Sequence, residues 1–72
     1  MRDRNIISEF IKELERVWMK YYPDLRFGQL MMSFLNYVAF EHKRDPCFPE
    51  EVEMLKYLKE YAKESPYYKE NK

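Results

Sequence analysis

Apolar side chains recur at intervals of three and four residues along the first third of the chain, which is the spacing of one face of an α-helix. Charged residues fill the positions between them, so the pattern describes an amphipathic helix with one buried side. Pro23 ends this helix, because proline has no backbone N–H and restricts the residue before it. The pattern therefore predicts a first helix over residues 4–22. Its apolar positions are Ile7, Phe10, Ile11, Leu14, Val17, Trp18 and Tyr21.

A second periodic segment follows the proline and predicts a helix over residues 25–43. Asp24 stands just before it, where a carboxylate accepts hydrogen bonds from the free amides of the first turn. One face of this helix is apolar along its length, and we expect that face to pack against the first helix. It contains Phe27, Leu30, Met31, Phe34, Leu35 and Val38.

The opposite side of the second helix carries no charged residue, and a helix that is uncharged all round is normally covered all round. A third helix covers this side if the second helix is the middle member of a bundle. Alternatively, part of it stays open for a protein partner or a second copy of the chain. Met19 and Tyr57, which lie off the inner stripes of their helices, would extend such a patch. The candidate interface residues are Gln29, Met32, Ser33, Asn36 and Phe40, with the small Gly28 and Ala39 beside them.

The last periodic segment predicts a third helix over residues 49–64. Pro49 occupies a position that the first turn of a helix tolerates, and Pro66 follows the end of the segment. A short irregular connector over residues 44–48 precedes this helix. The inner stripe of the third helix consists of Met54, Leu55, Leu58, Tyr61 and Ala62.

These segments together predict an all-α fold, a small three-helix bundle with a short irregular connector. Residues 1–66 are expected to form a single helical domain. Residues 67–72 are expected to form a polar C-terminal tail, from which Tyr67 or Tyr68 could pack back on the bundle.

The length and the charge of the chain count against several classes of function. A chain of 72 residues with one cysteine has one small core and no internal disulfide, so a strongly aromatic core or self-association must supply stability. The 13 basic and 13 acidic residues balance, which counts against a nucleic-acid binder that relies on excess Lys and Arg. The most apolar run, over residues 30–40, is shorter than the roughly 20 residues of a membrane span. No signal-peptide core follows the charged start, and we expect a cytoplasmic protein.

The sequence contains few residues suited to catalysis. His42 and Cys47 are the only histidine and cysteine, and no third group is placed to orient them as base and nucleophile. We expect His42 to complement the negative end of the second helix and Cys47 to fill apolar space. No group of residues has the spacing of a metal site. The sequence therefore predicts no enzymatic activity, cofactor, metal or small-molecule substrate.

Arg26 lies in the first turn of the predicted second helix, where the helix dipole disfavours a cation. One interpretation is an ion pair with Asp24 or with an acidic residue of another helix. The other is recognition of a carboxylate or phosphate on a partner.

The chain reads R-D near its start, then Trp18, P-D-L-R-F-G-Q-L over residues 23–30 and D-P-C-F-P-E-E over residues 45–51. It resembles a group of short uncharacterised bacterial and phage proteins that typically read R-D, an aromatic residue, P-D-L-R-x-G-Q-L and D-P-F followed by acidic residues. The resemblance covers most of the chain, although Cys47 interrupts the D-P-F pattern. It implies a bacterial or phage origin and a compact helical fold, and it implies no activity. The residues that match its central motif, and that are candidates for a shared role including an architectural one, are Asp24, Arg26, Gly28 and Gln29.

Two functional hypotheses follow from the sequence. The first is a small non-enzymatic protein-interaction module, self-associating or bound to a different protein, with its contact surface centred on Met32, Asn36 and Phe40. The alternative is a helix-turn-helix-like nucleic-acid-binding regulator, in which Arg26 and Gln29 open the reading helix. The apolar character of that helix counts against the alternative.

Overall fold

The computed structural model describes residues 4–68, and this range contains three α-helices and no strand. The helices are α1, Arg4–Tyr21; α2, Phe27–Glu41; and α3, Glu51–Ala62. The predicted all-α three-helix bundle is thus confirmed. Residues 69–72 of the predicted polar tail lie outside the described residues.

Each helix is shorter than the sequence predicts. Arg26 has an extended backbone (φ −79°, ψ 162°) and is the N-cap of α2, so the helix begins after it. Lys43 adopts a left-handed φ of 53°, a conformation common just beyond helix ends, and α2 therefore stops at Glu41. Glu50 is likewise extended (φ −72°, ψ 163°) and precedes α3. The connector consequently spans residues 42–50 rather than 44–48.

Hydrogen bonds between helix ends fix the direction of each helix. The Ser65 hydroxyl, just beyond α3, donates to the backbone carbonyl of Tyr21, so α1 and α3 end at the same side of the bundle. Ser33, in the first half of α2, hydrogen-bonds the Tyr61 hydroxyl near the end of α3, whereas Arg44, beyond α2, bonds Glu53 near its start. The three helices therefore run up, down and up, with α1 and α3 parallel.

The core lies where α3 meets the other two helices. Helix α3 packs closely against both α1 and α2. Helix α3 is therefore the middle helix of the bundle. The sequence had suggested the second helix for that position. The buried side chains that form the core are Val17 from α1, Leu30, Phe34 and Val38 from α2, and Tyr57, Leu58, Tyr61 and Ala62 from α3.

Four sequence-based placements of helical side chains are wrong. Tyr57 is 9% exposed, because its ring stacks on His42 with centroids 3.9 Å apart instead of extending a surface patch. Phe27 is 59% exposed at the edge of α2, where it contacts the Trp18 ring, with centroids 6.0 Å apart. Ile7 and Ile11, both assigned to the inner stripe of α1, are 45% and 53% exposed.

Cys47 is exposed and does not fill apolar space. The cause is an Asx turn, in which the Asp45 carboxylate accepts the Cys47 backbone N–H at 3.0 Å and the Asp45 carbonyl accepts the Phe48 N–H at 3.2 Å. Phe48 is 77% exposed as a result, and Pro49 is the residue of the connector that is buried.

Candidate functional site

The motif residues from Asp24 to Gln29 form the turn between α1 and the first turn of α2. The Gln29 side-chain oxygen accepts the Arg26 backbone N–H at 2.9 Å, which satisfies an amide at the start of the helix. The Trp18 indole N–H donates to the Leu25 carbonyl at 2.9 Å and ties the turn to α1. Gln29 thus has an architectural role that the motif did not reveal.

Asp24 does not cap α2. Its carboxylate accepts a hydrogen bond from the Tyr67 hydroxyl at 2.7 Å, which joins the turn to the segment after α3. Neither does it pair with Arg26: none of the ion pairs formed within residues 4–68 includes that arginine, whose side chain is exposed. The predicted ion pair fails because Asp24 faces the C-terminal segment instead of α2.

The side of α2 opposite the core is open over most of its length. Met32 is 65% exposed and Phe40 is 76% exposed, and α3 covers neither of them. Gln29 and Asn36 are exposed beside them. We call these four residues the outer face of α2. Ser33 lies at its edge, because its hydroxyl bonds the Tyr61 hydroxyl of α3.

Gly28 continues the same ridge, since positions four residues apart lie above one another on a helix. A Cβ at Gly28 would meet no atom within 4 Å. Its φ is not positive either, so the bundle itself does not require glycine at this position. Glycine in the interior of a helix costs about 1 kcal/mol relative to alanine, and Gly28, the second residue of α2, carries part of that cost at an open site.

The outer face is uncharged and is bracketed by opposite charges. Glu41, the last residue of α2, is the only charged residue in that helix. Arg26 stands immediately before the helix, and both residues are exposed. A neutral surface, partly apolar, therefore separates a cation at one end from an anion at the other.

A second apolar surface lies on α1. It was missed in the sequence because Ile11, Leu14 and Trp18 were assigned to the core, while Met19 was assigned to the patch on the second helix. A groove of about 360 Å³ runs along this helix, lined by Ile11, Leu14, Trp18 and Met19 together with Glu15. Met19 is 71% exposed. The acidic side chain distinguishes this groove from the uncharged outer face of α2.

A polar cluster secures the opposite end of α2. His42 Nε2 lies 2.7 Å from Glu60 Oε1, and the Tyr37 hydroxyl donates to the same oxygen at 3.2 Å. Burial and the nearby Glu60 carboxylate raise the pKa of Tyr37 to about 12. His42 thus contacts α3 and not Cys47, its only candidate partner for nucleophilic chemistry.

The connector is held to α3 by Arg44. Its guanidinium donates to the Glu53 carboxylate at 2.8 Å and to the Tyr57 hydroxyl at 2.9 Å. The hydrogen bond from Arg44 lowers the pKa of Glu53. Both ends of α2 are thus held to the rest of the bundle by side-chain hydrogen bonds.

No family model, curated protein or solved structure matches this chain. Between residues 4 and 68, no helix is long and apolar enough to cross a membrane. The same part of the chain contains no group of three or more His, Cys, Asp or Glu side chains arranged to hold a metal ion.

Proposed function

We propose that this protein is a small interaction module that binds a second copy of itself through the outer face of α2. The observation that carries the proposal is the exposure of Met32 and Phe40 on a helix whose outer side has no charge. Large exposed apolar side chains flanked by amides are typical of contact surfaces between proteins. A small domain without a disulfide also gains stability by burying such side chains against a partner.

The charges at the ends of α2 favour an identical partner in antiparallel orientation. When the two-fold axis is perpendicular to the paired α2 helices, the start of one helix lies beside the end of the other. Arg26 of each copy then approaches Glu41 of the other copy, so the same attraction operates twice. A parallel pair would bring like charges together at both ends.

The shape of the ridge fits the same arrangement. Gly28 and Phe40 are about 18 Å apart along the helix axis, and Met32 and Asn36 lie between them. A two-fold axis near the level of Phe34 sets Phe40 of one copy against Gly28 of the other. The missing side chain leaves a flat place for the ring, which supplies a reason for a glycine that the bundle does not need.

The amides on the outer face are suited to self-pairing. A carboxamide has both donors and an acceptor, so Asn36, which faces Met32 of the other copy in this register, can hydrogen-bond the Gln29 side chain about one helical turn away. A single helix face is smaller than the approximately 800 Å² per partner of a standard stable interface. We therefore expect weak, reversible association with a dissociation constant in the micromolar range or above.

Sedimentation equilibrium from micromolar to millimolar protein, with reductant to keep Cys47 as a thiol, tests the proposal. We expect the apparent mass to rise with concentration from 9.1 kDa toward twice that value. Phe40→Asp should abolish the rise and leave the far-UV circular dichroism of the helices intact, because Phe40 is exposed.

Ile11→Asp is the matched control, because it places the same charge in the groove on α1. We expect this variant to associate like the unmodified protein. A protein that stays monomeric throughout the concentration range contradicts the proposal. So does association that Ile11→Asp abolishes and Phe40→Asp leaves unchanged.

The free thiol of Cys47 is exposed, and thiols of this kind persist in a reducing compartment, so we place the protein in the cytoplasm as part of this proposal. The resemblance described above supports a bacterial or phage source. We do not extend the proposal to nucleic acids, because α2, the reading helix of that alternative, contains no Lys or Arg.

A further inference from the structure

A largely apolar cavity of about 310 Å³ lies between the end of α1, the turn before α2 and the segment after α3. Four tyrosines line it together with one acidic residue. They are Tyr21, Tyr22, Tyr61, Tyr67 and Asp24.

Hydrogen bonds hold the walls of this cavity in place. The Tyr22 hydroxyl donates to the Tyr61 carbonyl at 2.6 Å, and the rings of the two residues stack with centroids 4.6 Å apart. Tyr67 is bound to Asp24 through its hydroxyl, and its backbone N–H donates to the Ser65 hydroxyl at 3.0 Å. The cavity is therefore a built feature of the bundle, with little reorganisation required for a ligand to enter.

The charge around the cavity favours a cation. Within residues 4–68, Asp24 is the only charged residue that lines it, and no Lys, Arg or His side chain of that range does so. The Asp24 carboxylate accepts one hydrogen bond from Tyr67 and retains further lone pairs. An anion would be repelled by this carboxylate.

The aromatic walls favour the same ligand. The π-face of a tyrosine ring is negative, so several rings around a cavity attract a positive group. The Tyr21 ring already lies near two cations of this chain, Lys20 Nζ at 5.5 Å and the Arg16 guanidinium carbon at 5.8 Å from its centroid, so the attraction of the cavity for a ligand rests chiefly on the other tyrosines. Neither Lys20 nor Arg16 lines the cavity.

We propose that this cavity binds an alkylated ammonium group, the positive end of a small quaternary amine. A primary ammonium ion is strongly hydrated and needs several hydrogen-bond acceptors, whereas a trimethylammonium group presents its charge on an apolar surface. That surface matches the tyrosine rings, and the Asp24 carboxylate balances the charge. The volume lies at the low end of the range for ligand pockets and suits a group of this size.

The test compares choline with 3,3-dimethylbutan-1-ol, an uncharged molecule of nearly the same shape. Each is titrated into the full chain at constant ionic strength and followed by ¹H–¹⁵N and aromatic ¹H–¹³C NMR. We expect choline to shift the resonances of Tyr22, Tyr61 and Tyr67, and to bind about 3- to 30-fold more tightly than the alcohol. The proposal is overturned if both molecules bind equally well or if choline does not bind. It is also overturned if the resonance shifts are confined to another surface.

Two substitutions test the roles of individual residues. Asp24→Asn keeps the shape and removes the charge, so we expect choline affinity to fall several-fold while the affinity for the alcohol is unchanged. Tyr67→Leu removes one ring and should weaken choline binding, whereas Tyr67→Phe keeps the ring and should retain it. Choline binding that survives both Asp24→Asn and Tyr67→Leu undiminished contradicts the assignment.

Phe40→Asp is the control for the relation between this cavity and the outer face of α2. Phe40 does not line the cavity, so the variant should bind choline as the unmodified protein does. Loss of choline binding in Phe40→Asp would show that the cavity depends on association, and it would overturn an independent site.

Discussion

Tyr22 and Tyr61 are joined twice, through stacked rings at an interplanar angle of 11° and through the hydrogen bond from the Tyr22 hydroxyl to the Tyr61 carbonyl. The pair links the residue just beyond α1 to the last turn of α3. Tyr61 also stacks against Phe34 of α2 in a tilted geometry, with centroids 5.5 Å apart. One aromatic residue of α3 therefore contacts the two other helical segments of the bundle.

Replacement of Tyr22 by phenylalanine separates the two contacts. Tyr22→Phe keeps the stacked ring and removes one donor from the Tyr61 carbonyl, which still accepts the Glu64 backbone N–H at 3.0 Å, so we expect the free energy of unfolding to fall by about 1 kcal/mol. Urea denaturation followed by circular dichroism measures the change. The Tyr67 hydroxyl bonds the carboxylate of the exposed Asp24, so Tyr67→Phe should lower the free energy of unfolding by less than about 0.5 kcal/mol. Equal losses in the two variants would contradict this account of Tyr22.

Alkaline pH should destabilise the bundle. Burial and the neighbouring Tyr61 raise the pKa of Tyr22 above its usual value of 10.0, and burial beside Glu60 raises that of Tyr37 to about 12. The fold favours the neutral phenols, so their contribution is complete below pH 10 and is lost as the pH rises through the folded-state pKa values. Urea denaturation at a series of pH values from 8 upward measures this loss.

Tyr22→Phe should flatten that alkaline decline, because the substitution removes one of the two groups responsible. Tyrosinate absorbance recorded on the same samples identifies the ionisation. A decline of unchanged steepness in the variant would assign the effect to other groups.

Ser65 is a buried polar residue that links the end of α1 to the segment after α3. Its hydroxyl donates to the Tyr21 carbonyl and accepts the Tyr67 backbone N–H. Ser65→Ala leaves both groups without their partner, and we expect it to cost about 1–3 kcal/mol. Ser8→Ala, at an exposed position of α1, should be neutral or slightly stabilising because alanine is the better helix former. Similar effects of the two substitutions in thermal unfolding would contradict the role of Ser65.

The sequence predicted the helices well, because each has an apolar stripe and a proline near one end. It placed the helix ends less well, since the φ of 53° at Lys43 and the extended backbone of Arg26 are features of the local backbone that no periodicity contains. The hydrogen-bond partner of Asp24 could not be predicted from the sequence either. Its position before α2 suggested a cap, and only the fold reveals Tyr67 as its partner.

The exposure of individual residues was harder to predict than their helical face. Ile11 and Tyr57 exchanged their expected environments, because α3 packs closely against α1 and α2 and leaves one flank of α1 open. The tyrosine-lined cavity could not be found in the sequence at all. Its residues come from positions as far apart as Tyr21 and Tyr67, which only tertiary packing brings together.

The proposed antiparallel association makes a specific prediction about charge. Arg26→Glu should weaken self-association, because it sets two acidic residues against each other at each end of the paired helices. Glu41→Arg should weaken it in the same way. The double variant, which exchanges the charges, should recover the original affinity in sedimentation experiments, and its salt dependence should match that of the unmodified protein. A double variant weaker than either single one would contradict the antiparallel arrangement.

Isotope-filtered NMR on a mixture of ¹³C-labelled and unlabelled protein tests the α2 interface most directly, because it detects only proton contacts between different copies. At concentrations where the protein associates, we predict intermolecular contacts between the Phe40 ring of one copy and the Gly28 α-protons of the other, with Met32 methyl contacts nearby. Intermolecular contacts that involve Ile11 and Met19 instead, with none to Phe40, would contradict the account.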